Sequence, residues 1–205
     1  SLHDALPIYR VSAVLMKGFF KQFLLNYRKT GAISASSENL GTQFIESSNL
    51  TNAKRVVELG SGSGVLTRKI VDNLAPEADF FAMEINPVFV RETRKRCPEA
   101  PVYKDSAHHL NRYVSQHNWS GVDCIISGLP WSLFKPRFQE ILLEEILENL
   151  NPGGEFLTFA YIHGLFLPSG RIYRKKLPGK FSLVDHSRIV WKNAPPALVY
   201  RAKKA

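Results

Sequence analysis

Lys54-Arg-Val-Val-Glu-Leu-Gly-Ser-Gly-Ser-Gly64 is the stretch from which the fold can be read. Val56 and Val57 are β-branched and Leu59 is apolar, which predicts a short buried strand. The strand breaks at Gly60 into a loop with glycine at every second position, Gly60, Gly62 and Gly64. Val65, Leu66, Ile70, Val71 and Leu74 then follow at helical spacing and stop before Pro76, which predicts a helix. Strand, glycine turn and helix form the opening unit of a nucleotide-binding α/β sheet. Glycine suits such a turn because it accepts positive φ and lets a ligand approach the backbone.

The flanking residues narrow the ligand. Dinucleotide sites carry G-x-G-x-x-G, with a pyrophosphate on the helix N-terminus. This chain carries E-x-G-x-G-x-G, with Glu58 on the strand itself, and a carboxylate there suits a cationic ligand better than a diphosphate. Asp79-Phe-Phe-Ala-Met-Glu84 predicts a second strand, ending in a carboxylate 24 positions after Gly60. That is close to the roughly 20-residue interval at which an acid takes a ribose hydroxyl pair. Pro101-Val-Tyr-Lys ends at Asp105, and Val122-Asp-Cys-Ile-Ile126 runs into Ser127-Gly-Leu-Pro-Trp131. Acidic or polar residues thus end consecutive predicted strands, and open parallel sheets bind ligands at those carboxyl ends.

The E-x-G-x-G-x-G pattern resembles motif I of the seven-stranded S-adenosylmethionine-dependent methyltransferases. The resemblance implies an α/β, Rossmann-like sheet, mostly parallel with an antiparallel last strand, flanked by helices, with S-adenosyl-L-methionine as cofactor. It implies that Glu58, Gly60, Ser61, Gly62 and Gly64 cradle the amino-acid end of that cofactor. Glu84 and Ile85 follow at the ribose, and Asp105 and Ser106 near the adenine. Ser127 to Trp131 stand in the place of the family's substrate-facing motif IV.

A length of 205 residues suits one domain with an added N-terminal element, set here at residues 1–30 and 31–205. Cys97 and Cys124 lie far apart, which argues against a disulfide framework and for a reducing compartment. No run approaches the roughly 18 apolar residues of a membrane span, and no signal-peptide pattern leads the chain. A cytoplasmic protein peripherally attached to an inner membrane is the expected setting. Ser1–Tyr9 has no helical or strand period. The net charge of +9 is unevenly placed. Residues 56–170 hold ten basic against fourteen acidic residues, whereas 1–55 hold seven against three and 171–205 ten against one. Both ends therefore suit an anionic partner, either nucleic acid or acidic lipid headgroups.

Val11–Lys29 reads as a helix with Phe19, Phe20, Phe23 and Tyr27 on one arc and Lys17, Lys21 and Arg28 opposite, the signature of an interfacial membrane helix. A helix packed on the domain with a solvated basic face is the alternative. Thr30–Ser37 reads as a small-residue linker, with Ser36 or Ser37 capping a short helix through about Glu46. Asn86-Pro87 starts the helix after the second strand. Ser106–Trp119 reads as one helix with His108, His109 and His117, but no metal spacing is completed by other ligands. Phe138–Leu150 is a periodic acidic helix, ending in a sharp turn at Asn151-Pro-Gly-Gly before a strand over Glu155–Ile162. Pro168–Lys180 reads as a basic, glycine-punctuated stretch, with a solvated basic loop as the alternative to a phosphate-binding segment. Phe181–Trp191 and Ala197–Arg201 read as a closing antiparallel pair.

Ser-Gly-Leu-Pro at 127–130, R-I-Y-R-K-K-L-P-G-K-F at 171–181 and V-W-K-N-A-P-P-A-L-V-Y-R at 190–201 resemble the soluble bacterial phospholipid N-methyltransferases. That family methylates phosphatidylethanolamine stepwise towards phosphatidylcholine, which implies a phospholipid substrate and an anionic membrane surface. A second resemblance is to rRNA adenine N6-dimethyltransferases, with motif IV as Asn-Leu-Pro-Tyr. There the Asn, which holds the adenine amino group, falls on Gly128 and the Tyr on Trp131. No further domain to grip RNA is expected after the last predicted strand. A scaffold that merely keeps the fold is disfavoured by intact cofactor acids. Trp131 could stack a base or cap a lipid ammonium by cation–π contact. Ser127, Trp131 and Tyr27 are the expected catalytic set, with Tyr27, Asp105 and His163 the candidate bases. Arg171, Arg174, Lys175 and Lys180 are the expected phosphate binders, with Lys17, Phe19, Phe20 and Phe23 at the membrane.

Overall fold

The computed structural model describes residues 33–205. The expected helix over Val11–Lys29, with Lys17, Phe19, Phe20, Phe23 and Tyr27, lies outside them.

Strand β1 (Arg55–Leu59) runs at the centre of the sheet, with Val56, Val57 and Leu59 fully buried. It pairs in parallel with β2 (Asp79–Met83) on one side and β4 (Val122–Ser127) on the other. The short β3 (Val102–Tyr103) lies outside β2, and β5 (Leu150–Tyr161) lies beyond β4. The last strand, β7 (Ala197–Lys203), inserts antiparallel between β5 and the edge strand β6 (Leu183–His186). Among the described residues the order is therefore 3-2-1-4-5-7-6, the mostly parallel sheet that the sequence predicts. The chain leaves β1 in one direction and β4 in the other, and ligands settle at such a switch point.

Helices cover both faces because successive strand residues point to opposite sides. One face, with Val56, Phe80, Ile126 and Val199, is covered by α1 (Ile33–Ser47), α2 (Val65–Val71) and α3 (Pro87–Arg96) through Phe44, Ile70 and Val90. The other, with Val57, Phe81, Ile125 and Phe156, is covered by α4 (Leu110–Gln116), α5 (Pro136–Asn149) and α6 (Pro168–Lys180) through Leu110, Leu142 and Tyr173.

Several boundaries differ from expectation. Helix α1 begins at Ile33, inside the stretch read as linker. The His-bearing segment is a 3-10 turn, Ala107–His109, followed by the shorter α4. Asn151-Pro-Gly-Gly does not end the helix in a free turn. It is absorbed into β5, where the register jumps from Val122 opposite Leu150 to Cys124 opposite Glu155.

The largest difference is at Pro168–Lys180, a stretch given no regular structure from sequence, which forms a helix. Pro168 sits at its first turn, where a missing N–H costs nothing. Tyr173 and Leu177, four apart, bury one face. Gly170 is there for contact, since a Cβ would fall 2.0 Å from the Gly164 carbonyl oxygen.

Candidate active site

The loop after β1 is held from two sides. The Gly60 N–H donates to the Met83 carbonyl at 2.8 Å, tying the loop to the end of β2. Thr93 of α3 donates its hydroxyl to the Gly62 carbonyl at 2.9 Å, which leaves the buried Ser61 hydroxyl, 3.0 Å away, to donate to Thr93. Gly64 has φ +79°, and a Cβ there would lie 2.9 Å from the Thr93 Cα, so both conformation and contact demand glycine. Gly62 also has positive φ, but nothing lies within 4 Å of where its Cβ would be. The open side of the cradle is therefore at Gly62.

Beneath this loop is Glu58, fully buried on β1. Thr67, one turn into α2, donates to its Oε2 at 2.6 Å, while Oε1 has no partner. Burial pushes the carboxyl from 4.5 up to about 8, against the Thr67 hydrogen bond and aided by the charge of Glu84. An unpartnered buried carboxylate oxygen is costly, and a cationic ligand group reaching it would relieve that cost.

Glu84 ends β2 and is almost fully buried. Its Oε2 accepts from the Gly62 N–H at 2.9 Å and its Oε1 from the Asn86 N–H at 2.8 Å. Burial raises its pKa, opposed by those N–H donors. A carboxylate has about four lone-pair sites, so acceptor capacity remains on both oxygens. Asn86 also caps α3, accepting from the Val88 N–H at 2.9 Å as the Asn-Pro start predicts. Ile85, beside Glu84, is 44% exposed and gives the mouth an apolar edge.

Asp105 stands at the end of β3. Its Oδ1 accepts from the Ser106 N–H and faces His109 Nδ1, and its Oδ2 accepts from the Tyr113 hydroxyl at 2.9 Å. Burial works against its ionisation, but these hydrogen bonds outweigh it and lower the pKa. Asp105 is thus an engaged carboxylate, poorly suited to take a proton. The Ser106 hydroxyl pairs with His108 Nδ1 at 2.7 Å.

Motif IV differs more from expectation. Ser127 is fully buried and its hydroxyl accepts from the Trp131 Nε1–H at 3.1 Å. The Trp131 ring is 2% exposed and stacks on Tyr173 of α6, centroids 4.6 Å apart. Trp131 therefore has no open face for a base or an ammonium, and Ser127 anchors it. Gly128 lies against the first loop: its N–H donates to the Leu59 carbonyl at 2.8 Å, and a Cβ on it would sit 2.5 Å from the Gly60 oxygen.

The basic residues also divide. Arg171, Arg174 and Lys175 lie on the exposed face of α6. Lys180, with Lys176, pairs instead with Glu140 of α5, so its charge is already matched. Sequence reasoning missed Thr67, Thr93 and Tyr113. Thr67 was the most findable, as a polar residue one turn past the glycine loop on the face turned to the strand.

The residues present fit S-adenosylmethionine: an orphaned buried carboxylate oxygen, a second acid at the end of β2, and a glycine cradle open at Gly62. Glu58 and the 60–64 loop would hold the amino-acid end and Glu84 the ribose.

Glu58 gives a signed pH dependence. Its folded pKa lies above the unfolded value, so the folded chain keeps a proton that the unfolded chain releases. That stabilisation is full below about pH 4.5 and is lost as pH rises through about 8. The melting temperature without cofactor should therefore fall more steeply between pH 5 and 8 in the wild type than in Glu58→Gln. Identical slopes by scanning calorimetry would remove the buried proton from the account.

Residues 56–154 match the family described as "Methyltransferase domain". An ornithine lipid N-methyltransferase from Singulisphaera acidiphila is 28% identical over 194 residues, covering 90% of this chain and 95% of that protein. Among solved structures, the O-methyltransferase TomG of Streptomyces achromogenes in complex with S-adenosylmethionine superposes with a TM-score of 0.64. It is 15% identical, with 86% of this chain and 91% of that one covered. An rRNA methylase from Streptococcus thermophilus gives a TM-score of 0.57 at 19% identity, covering 83% and 95%. At such identities the two structures speak for the fold alone. The cofactor of this fold is S-adenosyl-L-methionine.

Proposed function

Because the chain is an S-adenosylmethionine-dependent methyltransferase, we propose that it methylates the primary amine of a membrane-lipid headgroup, phosphatidylethanolamine, stepwise towards phosphatidylcholine. The reaction takes place at an anionic membrane surface, on the cytoplasmic side of an inner membrane. The observation that carries this reading over adenine is Gly128. An adenine N6 enzyme uses a carboxamide there, and this chain has neither the side chain nor, 2.5 Å from the Gly60 oxygen, the room for one. Without that carboxamide the adenine amino group would lose the hydrogen bond that holds it, and a buried polar group left unpaired costs about 1–3 kcal/mol. The likeness over nearly the whole chain to an ornithine lipid N-methyltransferase supports a lipid amine, and makes ornithine lipid the second candidate acceptor.

Bound S-adenosylmethionine supplies a methyl group on a positively charged sulfur. The chain supplies alignment and exclusion of water. The amine must arrive without its proton: with an ammonium pKa near a lysine's, deprotonation at pH 7 costs about 4–5 kcal/mol, at about 1.36 kcal/mol per unit. Burial of the headgroup moves that pKa in the required direction. Of the candidate bases, Asp105 is engaged and Tyr27 lies outside the described residues. His163 remains, exposed just beyond β5, its ring stacked on Tyr161 at 5.6 Å.

The proton requirement supplies the test. With phosphatidylethanolamine vesicles, kcat/KM should rise about tenfold per pH unit between pH 6 and 8, because only the neutral amine reacts. An exocyclic adenine nitrogen carries no such proton, so a flat profile would speak against an ammonium acceptor.

A further inference from the structure

We infer that the rim at the carboxyl end of β5 is a bilayer-docking surface, built from the turn before α6 and the loop between β6 and β7. The inference rests on the lipid reading above and adds where the lipid surface is met. Phe166 and Leu167 are 67% and 39% exposed, and Trp191 is 72% exposed. They are far apart in sequence, but the topology brings their segments to one edge. Strand β7 runs antiparallel to β5, so Tyr161 pairs with Ala197, and the loop before Ala197 returns to the end that β5 leaves. Val190 bridges to Ala197, and the Ile162 N–H donates to the Pro196 carbonyl at 2.9 Å. This is the same end of the sheet that carries the loops after β1 and β4.

The charge around these side chains is one-sided. Residues 171–205 contain one acid, Asp185, and the neighbouring lysines of α6 that are neutralised use Glu140. Arg171, Arg188 and Lys192 make no ion pair among the described residues, and Arg188 and Lys192 flank Trp191 closely in sequence. Exposed aromatic and aliphatic side chains beside unmatched cations fit a headgroup layer, where a tryptophan ring sits with one end apolar and the other wet. A nucleic-acid surface needs the cations but not Leu167.

Trp191 makes its own probe. The chain has three tryptophans, and the other two, Trp119 and Trp131, are 9% and 2% exposed. Full-length protein is mixed with vesicles of phosphatidylglycerol and acyl-brominated phosphatidylcholine, which contain no primary amine, so docking is read independently of methyl transfer. The emission should shift to the blue and be quenched, and Trp191→Phe should lose the quenching while still sedimenting with the vesicles. Arg188→Glu and Lys192→Glu should each weaken sedimentation at least about fivefold, the scale of one cation at an anionic surface. Unchanged Trp191 emission at saturating vesicles would overturn the proposal, as would quenching by an RNA oligonucleotide but not by vesicles. If Trp191 inserts yet phosphatidylethanolamine vesicles take up no methyl, docking stands and the acceptor reading falls.

Discussion

Glu84→Ala should weaken S-adenosylmethionine binding by about fivefold to more than a hundredfold, the equivalent of the roughly 1–3 kcal/mol lost when a charged hydrogen-bond partner is removed. The side chain does two jobs. Its two oxygens hold the Gly62 and Asn86 N–H groups, so it fixes the cradle to the start of α3 even without ligand. It also follows β2 at the position where a ribose hydroxyl pair would be taken. Removing it leaves two N–H donors unpaired and loosens the loop at its open residue. Glu84→Gln, which can still accept from one N–H, should lie between wild type and Ala. Titration calorimetry on folded variants reads the effect directly. Equal affinity in wild type and Glu84→Ala would detach the ribose role from this residue.

Gly128→Asn should be more damaging than its place on a loop suggests. Even the first atom of the new side chain would lie 2.5 Å from the Gly60 oxygen, so the loop after β1 or the loop after β4 must move. Overpacking of this kind typically costs about 1–3 kcal/mol. For a chain of this size that lowers the melting temperature by about 2–4 °C per kcal/mol. If the loop that Gly60 starts cradles the cofactor as proposed, its displacement should also reduce cofactor affinity, and methyl transfer to lipid should fall with it. Restoring the carboxamide of an adenine N6 enzyme should not create RNA methylation. A Gly128→Asn protein with wild-type stability that labels rRNA would contradict both the steric reading and the acceptor assignment.

The legible parts of the sequence were those in which local pattern and tertiary role coincide. Val56, Val57 and Leu59 form a strand by composition and are buried because that strand is central. Glu58 and Glu84 end up near one loop because parallel strands deliver their carboxyl ends together. Pro168–Lys180 is not legible as a helix because Pro168, Gly170, Pro178 and Gly179 are loop signals taken one by one. In the fold, Pro168 starts the helix, Gly170 answers the Gly164 carbonyl, and Tyr173 and Leu177 supply the buried stripe. Trp131 was misassigned for the same reason, since only the packed helix puts Tyr173 over its ring. The reason for glycine at 128 is likewise a contact between loops about 70 residues apart, Gly60 and Gly128, that no local pattern encodes.

The most direct test offers purified full-length protein and methyl-labelled S-adenosylmethionine three acceptors in parallel: phosphatidylethanolamine in anionic vesicles, ornithine lipid in the same vesicles, and deproteinised rRNA. Label should enter the amine lipid, and mass spectrometry of the phosphatidylethanolamine should show successive additions of one methyl group. Label in rRNA adenine with none in either lipid would contradict the account.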